Sequence, residues 1–488
     1  MASEESHHET REWTLDPETE YRFELDPGTS LAIKLIRGNA EVFGAELAPN
    51  KHYLFGQECK AAIFTWRGCT IEMSHASTEY VSEETPMTAY ANVHVAFEQM
   101  RVRALRDLRG SPVPDFERDK PSDPPRVLVV GPENSGKTSL CKILINYAVR
   151  AGQGWSPLLV NVDPSEGGWA APGTLSVAPI QTPLPTSSPG SPLGSAATSA
   201  PTALSSNALV PLAYWYGHPE IKRNPLLMER IIRNLGQAIE DRYQVDVEGK
   251  CRTAGLVVDT PSSFAPGPGN NDSRQKLISS CVEAFKINVI LVVGHEKLNV
   301  ELQRAYGNRI TVVKIPKSGG VVELDHLYRQ RVHMYQLHTY MYGQKLPLPA
   351  GITSASLGGE TVSDLILSPS STIINFDDLS IFRIGAETMA PSSALPIGAA
   401  RTVSETQSVP IDPASPGSGL LNAVLAIVAP LSTDESERYD EELLDQPISG
   451  YLVITNVDIP QRKLTVLSPN HGSITGRTAI TGSFEWQE

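Results

Sequence analysis

Arg126-Val127-Leu128-Val129-Val130-Gly131-Pro132-Glu133-Asn134-Ser135-Gly136-Lys137-Thr138-Ser139-Leu140 is an apolar strand, a G-x-x-x-x-G-K-T loop and the start of an apolar helix. That order is the sequence form of a phosphate-binding loop. Gly131 and Gly136 let the chain turn tightly, so that the N–H groups of Glu133, Asn134, Ser135 and Gly136 face phosphate oxygens. Lys137 reaches the outer phosphates, the Thr138 hydroxyl is a ligand for Mg²⁺, and Ser139 follows at the helix start. The helix continues through Leu140, Ile143, Leu144 and Ala148 and adds the positive end of its dipole. Nucleotide binding is the expected chemistry.

Working outward, the loop sits in a block that alternates strands with helices, the mark of a parallel sheet. Strands are expected at Val127–Val130, Leu158–Val162, Gly255–Val258, Val289–Val293 and Ile310–Ile315. Helices are expected at Leu140–Ala151, Leu226–Tyr243, Gln275–Phe285 and Leu324–Tyr342. The Pro/Ser/Ala/Thr-rich stretch 172–211 holds too little apolar surface to order itself and reads as a disordered insertion. Before this block, residues 12–88 are short strand candidates separated by turns, which suits a small sandwich. A helix over Tyr90–Arg109 and a proline-rich linker, 111–125, follow. From about 350 the pattern returns to short strands, with 386–420 and the acidic run Asp434–Asp445 expected to be mobile. The expected fold is thus α/β: a P-loop domain with a parallel sheet (126–346), between an N-terminal β-sandwich (1–110) and a C-terminal β-rich α/β domain (347–488).

Composition narrows the function. The 488 residues carry a formal net charge of −14, so no long-range basic field attracts nucleic acid. The five cysteines are scattered, with no CxxC or Cys/His cluster, which argues against a zinc site and fits a reducing compartment. No stretch reaches about 18 apolar residues, so no membrane span is expected. No guanine-reading N-K-x-D is present. A P-loop needs a second carboxylate near Mg²⁺. Asp163, at the end of a strand, is the first candidate as metal ligand or as base. Asp259, ending another strand before Thr260 and Pro261, competes with it.

Several stretches together resemble the RNA 5′-hydroxyl polynucleotide kinase family, and within it the fungal ATP-binding subunits of pre-mRNA cleavage and polyadenylation factor IA. They are Glu41-Val42-Phe43-Gly44-Ala45-Glu46-Leu47, the loop Gly131–Thr138, Ile143-Leu144-Ile145-Asn146-Tyr147-Ala148, Asp163-Pro164, Val258-Asp259-Thr260-Pro261 and Ile315-Pro316-Lys317-Ser318-Gly319-Gly320-Val321-Val322. The resemblance implies ATP and Mg²⁺ as ligands, with Glu20 and Lys60 matching the family's base-contacting pair. It implies a nuclear protein whose partners are the scaffold subunit of factor IA that binds the RNA polymerase II tail and other 3′-end processing subunits. An active kinase would use Asp163 as base and Lys137, Arg329 and Arg331 as charge stabilisers. The family's active motifs are altered here. D-x-G-Q reads Asp163-Pro164-Ser165-Glu166, and T-x-G-W reads Thr260-Pro261-Ser262-Ser263, with Phe264 one position away as a substitute stacking ring. The arginine-rich lid keeps Arg329 and Arg331. The sequence therefore favours an ATP-binding structural subunit with weak RNA contact and little kinase activity, over an active kinase or an unrelated P-loop NTPase.

Overall fold

Runs such as Val127–Val130 and Val289–Val293 carry apolar side chains at every position, which a strand tolerates when both its faces are covered. In the computed structural model of the chain they are neighbouring interior strands of a seven-stranded sheet. The structure describes residues 10–74, 76–112, 114, 118–169, 171–193, 211–267, 271–349, 352, 364–385, 406–415, 417–430, 442–469 and 473–487. The sheet order is Leu212–Trp215, Thr174–Pro179, Leu158–Asn161, Leu256–Asp259, Arg126–Val130, Val289–Val293, Thr311–Ile315. All pairings are parallel except those of Thr174–Pro179, which runs against both neighbours. Helices Met87–Leu108 and Lys137–Arg150 cover one face, and Pro225–Val245, Asn271–Ala284 and Glu296–Tyr306 cover the other. This order sets the carboxyl end of Arg126–Val130, where the phosphate loop begins, next to that of Leu256–Asp259.

The N-terminal unit is a sandwich of two sheets. One has four strands (Arg11–Leu15, Cys69–Met73, Ser30–Gly38, His52–Gly56) and the other five (Ala45–Glu46, Glu41–Val42, Lys60–Thr65, Thr19–Glu24, Thr78–Ser82). Alternate residues turn inward, and Tyr21, Phe23, Leu31, Ile33, Phe55, Ile63 and Ile71 fill the space between the sheets. The Glu41–Leu47 motif is where this unit meets the P-loop helix. Glu41 is buried and accepts from the Tyr147 hydroxyl and from Arg150 at 2.7 Å. Asn146, fully buried, donates to Phe43 O at 2.9 Å and Leu184 O at 3.2 Å and accepts from Leu184 N at 2.7 Å.

The C-terminal unit is a seven-stranded, mainly antiparallel sheet: Ser370–Asn375, Lys463–Ser468, Ile448–Asp458, Ala423–Val428, Arg477–Glu485, Leu379–Ile384, Ser408–Pro410. One face joins the core of the central unit. Tyr451 shares a 2.6 Å hydrogen bond with Thr174, and its ring packs against Trp215 and Tyr340. Asp445 takes both arms of Arg230, at 2.6 and 2.7 Å.

Three expectations are corrected. The segment 172–211 is not disordered from its start. Thr174–Pro179 is a buried sheet strand, and the chain as far as Leu193 is tied down by side chains that composition does not reveal. Lys142, buried on the P-loop helix, donates to Pro185 O, Thr186 Oγ1 and Pro192 O, and Trp169 donates to Leu193 O at 2.8 Å. Residues 194–210 lie outside the described residues. Of the two C-terminal stretches expected to be mobile, 386–405, 416 and 431–441 also lie outside them. Ser408–Pro410 is a strand paired with Leu379–Ile384, and Glu442–Asp445 is a helix held by Arg230. All five cysteines are free and buried, and no helix among the described residues is long and apolar enough to cross a membrane.

Asn146→Ala should lower the stability of the protein by about 3 kcal/mol, because it strands buried backbone groups of Phe43 and Leu184 without partners. A urea unfolding curve with an unchanged midpoint would exclude this role.

Candidate functional site

The phosphate loop takes its shape from two backbone constraints. Asn134 and Gly136 adopt left-handed conformations, with φ of +51° and +85°. At Gly131 a Cβ would lie 2.8 Å from Ser135 Oγ and 3.1 Å from Val293 O, so only glycine lets the loop lie this close to the neighbouring strand. Together these point the loop into a cavity of about 280 Å³ between the central unit and the sandwich. Glu133 to Ser139, Asp163, Glu166 and Arg329 line its phosphate end. Glu20, Arg22, Lys60, Ala62, Tyr90 and the Gly320–Val322 turn line the other.

Of the residues expected at the site, Glu20, Lys60, Glu133 to Ser139, Asp163 and Arg329 line this cavity, whereas Asp259 and Arg331 do not. Lys137 is buried and folds over the loop, its Nζ 3.1 Å from Pro132 O. Glu20 is buried, accepting from Arg22 Nε at 2.7 Å and from Thr85. Lys60 is half-buried and donates to Glu24 at 2.6 Å. Two expected roles shift. The carboxylate that meets Thr138 is Asp259, which accepts its hydroxyl at 2.6 Å. Asp163 lies two residues beyond its strand and accepts instead from Ser165 N and Oγ. The register explains this: Asn161 pairs level with Asp259, so Asp163 lies past the sheet edge.

Arg331 is not brought to the loop. Its guanidinium lies on Glu58 of the sandwich, donating Nε and Nη2 at 2.8 Å each. Arg329 does reach the loop, donating to Asn134 Oδ1 at 2.7 Å and pairing with Glu133 at 2.9 Å. Phe264 cannot stack on a base, because it is fully buried in the core beneath the sheet. Glu58, Arg22 and Tyr90 were missed from sequence. They stand in ordinary strand, turn and helix text, and only the fold brings them together.

The polar groups at the phosphate end are not all paired. Ser135 Oγ, Asp259 Oδ1 and Arg329 Nε are buried without a hydrogen-bond partner, and leaving such groups unpaired is costly. A triphosphate and a divalent ion fit these groups. The donors at Thr138 and Asp259 are hard oxygens, which suit Mg²⁺. Among the described residues no three acidic, histidine or cysteine side chains form a metal site of their own. An ion here would complete its shell from phosphate and water, as Mg²⁺ commonly does. Burial pushes the Asp259 carboxyl up to about 7, Lys137 opposing and Glu166 adding to the shift. Burial and the charge of Asp163 hold Glu166 above the ordinary carboxylate range.

Comparison with known proteins agrees with this layout. Three family models match in succession: the N-terminal beta-sandwich domain of polyadenylation factor over residues 14–104, the mRNA cleavage and polyadenylation factor CLP1 P-loop over 131–343, and pre-mRNA cleavage complex II protein Clp1 over 367–488. The sequence is 71% identical over 487 residues to the mRNA cleavage and polyadenylation factor CLP1 of Laccaria bicolor, covering 100% of both chains. The chain belongs to the Clp1 family. Other Clp1 relatives include the factor from Mycosarcoma maydis, 34% identical over 97% of this chain and 98% of its own length. The CLP1 homolog of Arabidopsis thaliana is 32% identical over 97% and 94%. The fold matches Clp1p as solved in complex with Pcf11p, with a TM-score of 0.77 over 99% of both chains at 23% identity.

An acid whose pKa is raised on folding, here from 3.8 to about 7, costs the folded state stability as pH rises between those values, and the full cost stands above the higher one. Asp259→Asn should therefore raise the Tm of the ligand-free protein by roughly 2–4 °C at about pH 8, with a smaller gain at about pH 5. Equal gains at the two pH values in thermal unfolding would exclude a strained, charged Asp259.

Proposed function

We propose that the protein is an ATP-binding assembly subunit of the pre-mRNA 3′-end cleavage and polyadenylation machinery, working in the nucleus without 5′-hydroxyl kinase activity. One observation carries the ATP reading. The cavity is lined by two separate units, with a phosphate loop at one end, and three buried polar atoms around that loop, on Ser135, Asp259 and Arg329, lack hydrogen-bond partners. The loop N–H groups, Lys137 and Arg329 would hold the phosphates, and Thr138 and Asp259 the Mg²⁺. Glu20 and Lys60 would meet the base. When bound, Mg²⁺ supplies charge neutralisation between the phosphates and the carboxylates. A relative's Clp1p–Pcf11p structure concerning ATP loss in a glycine-to-arginine mutant supports the same reading.

The RNA side lacks what transfer requires. Ser263 stands where the family's stacking tryptophan would be, and the neighbouring Phe264 is buried in the core. The side chain at 166 is a carboxylate, which repels a phosphate, and Arg331 is committed to Glu58. Losing Arg331 as a transition-state arginine, with only Lys137 and Arg329 left, lowers the rate by about 10³-fold or more. A ligand gripped by two units at once stabilises their joint state, by about 4 kcal/mol at 1,000-fold over Kd. The bound nucleotide would then serve assembly with the scaffold subunit that reads the polymerase tail, the role that Pcf11p as Clp1p's partner supports.

Freshly purified protein should release intact ATP on denaturation. Lys137→Ala with Thr138→Ala should lose that ATP and weaken binding to the scaffold subunit together. Transfer of labelled γ-phosphate to a 5′-hydroxyl oligoribonucleotide at rates typical of kinases, about 1 s⁻¹ or more, would overturn the structural reading.

A further inference from the structure

Three side chains of helix His326–Tyr342, spaced i, i+3 and i+7, converge on one residue of the sandwich. Arg331 embraces both oxygens of Glu58, and Tyr335 donates its hydroxyl to Oε1 at 2.8 Å. Tyr328 donates to the Glu58 carbonyl at 3.3 Å. Glu58 is 4% exposed, and the Arg331 guanidinium holds its carboxyl below the ordinary range. The turn that presents it bends through two consecutive left-handed, non-glycine residues, Gln57 and Glu58, with φ of +51° and +59°. Such backbone is unfavourable and persists where the surroundings fix it.

A second stripe of the same helix holds the phosphate end. Arg329 reaches the loop, His333 Nε2 donates to Ser165 O at 2.6 Å, and Gln336 donates to Glu166 O at 2.6 Å. Tyr328 and Arg329 themselves line the cavity. The helix is one rigid body, so lifting it off Glu58 also withdraws Arg329. The ties between sandwich and P-loop helix, through Glu41, Phe43, Gly44 and Glu46, touch neither stripe.

We infer that Glu58 is a positioning residue that latches this helix across the nucleotide cavity, so that the Arg331–Glu58 pair parts before a nucleotide enters or leaves. The inference rests on the ATP reading above and adds a rate to it. A latch slows entry and exit alike, so opening it raises both rates and moves Kd less. A purely structural contact would change stability and leave the two rates alone.

The test uses the full-length protein and a fluorescent ATP analogue, chased with excess ATP in a stopped-flow instrument. Glu58→Gln should speed analogue release by about 10-fold, as loss of one partner of a half-buried, bidentate charge pair does, and should speed binding as well. Arg331→Gln should do the same, and the double variant should add nothing further. Tyr335→Phe, a milder change, should speed release about threefold to tenfold. Glu41→Gln, at a buried interdomain carboxylate away from this helix, should lower Tm with release unchanged. If wild-type protein binds the analogue and neither Glu58→Gln nor Tyr335→Phe releases it faster, the latch is wrong and the ATP reading stands. If wild-type protein holds no nucleotide as purified and takes up no analogue even over long incubation, the ATP reading falls first.

Discussion

Helix His326–Tyr342 touches all three units at once, and the geometry of the candidate site follows from that. Its first stripe (Tyr328, Arg331, Tyr335) meets the sandwich, and its second (Arg329, His333, Gln336) meets the phosphate end. A third face carries Leu337, Tyr340 and Met341 into the C-terminal sheet, where the Tyr340 hydroxyl accepts from Tyr451 N and His338 stacks on Trp486. A helix with one apolar stripe can serve one neighbour. This one mixes polar and apolar residues around its whole circumference, because each side has a different surface to match.

The second constraint is the balance of charge at the phosphate end. Asp163, Glu166 and Asp259 gather near Thr138, with Lys137 and Arg329 as the cations beside them. Burial first, and then the repulsion between neighbouring carboxylates, pushes Asp259 and Glu166 upward. A divalent ion relieves this directly. An incoming RNA phosphate would make it worse. The same electrostatics therefore favour a metal–nucleotide ligand and disfavour a second anionic substrate.

Much of this was legible in the sequence, for local reasons. The loop Gly131–Thr138 and the apolar strands around it carry their own periodicity and glycine chemistry, so the central sheet and the phosphate end were readable. The strand Thr174–Pro179 was not, because it sits in Pro/Ser-rich text and owes its order to neighbours such as Asn161, level with Ser176. Asp259 and Asp163 were indistinguishable by motif, since each follows an apolar strand before a proline-containing turn. Only the pairing register, Asn161 against Asp259, separates them. Arg331 looked equivalent to Arg329 because they stand two residues apart, yet on a helix that spacing points them to different faces.

Lys142 has a consequence for how this architecture can vary. Its amine, pushed down to about 8 by burial, gathers the carbonyls of Pro185 and Pro192 and the Thr186 hydroxyl onto the P-loop helix. Trp169 fastens Leu193, and the chain rejoins the sheet at Leu212. Both anchor points are thus set by the framework and not by the span that joins them. Doubling the length of such a span costs about 0.6 kcal/mol in closure entropy. An insertion at this position would therefore weigh little against the contacts that hold Leu193 and Leu212 in place.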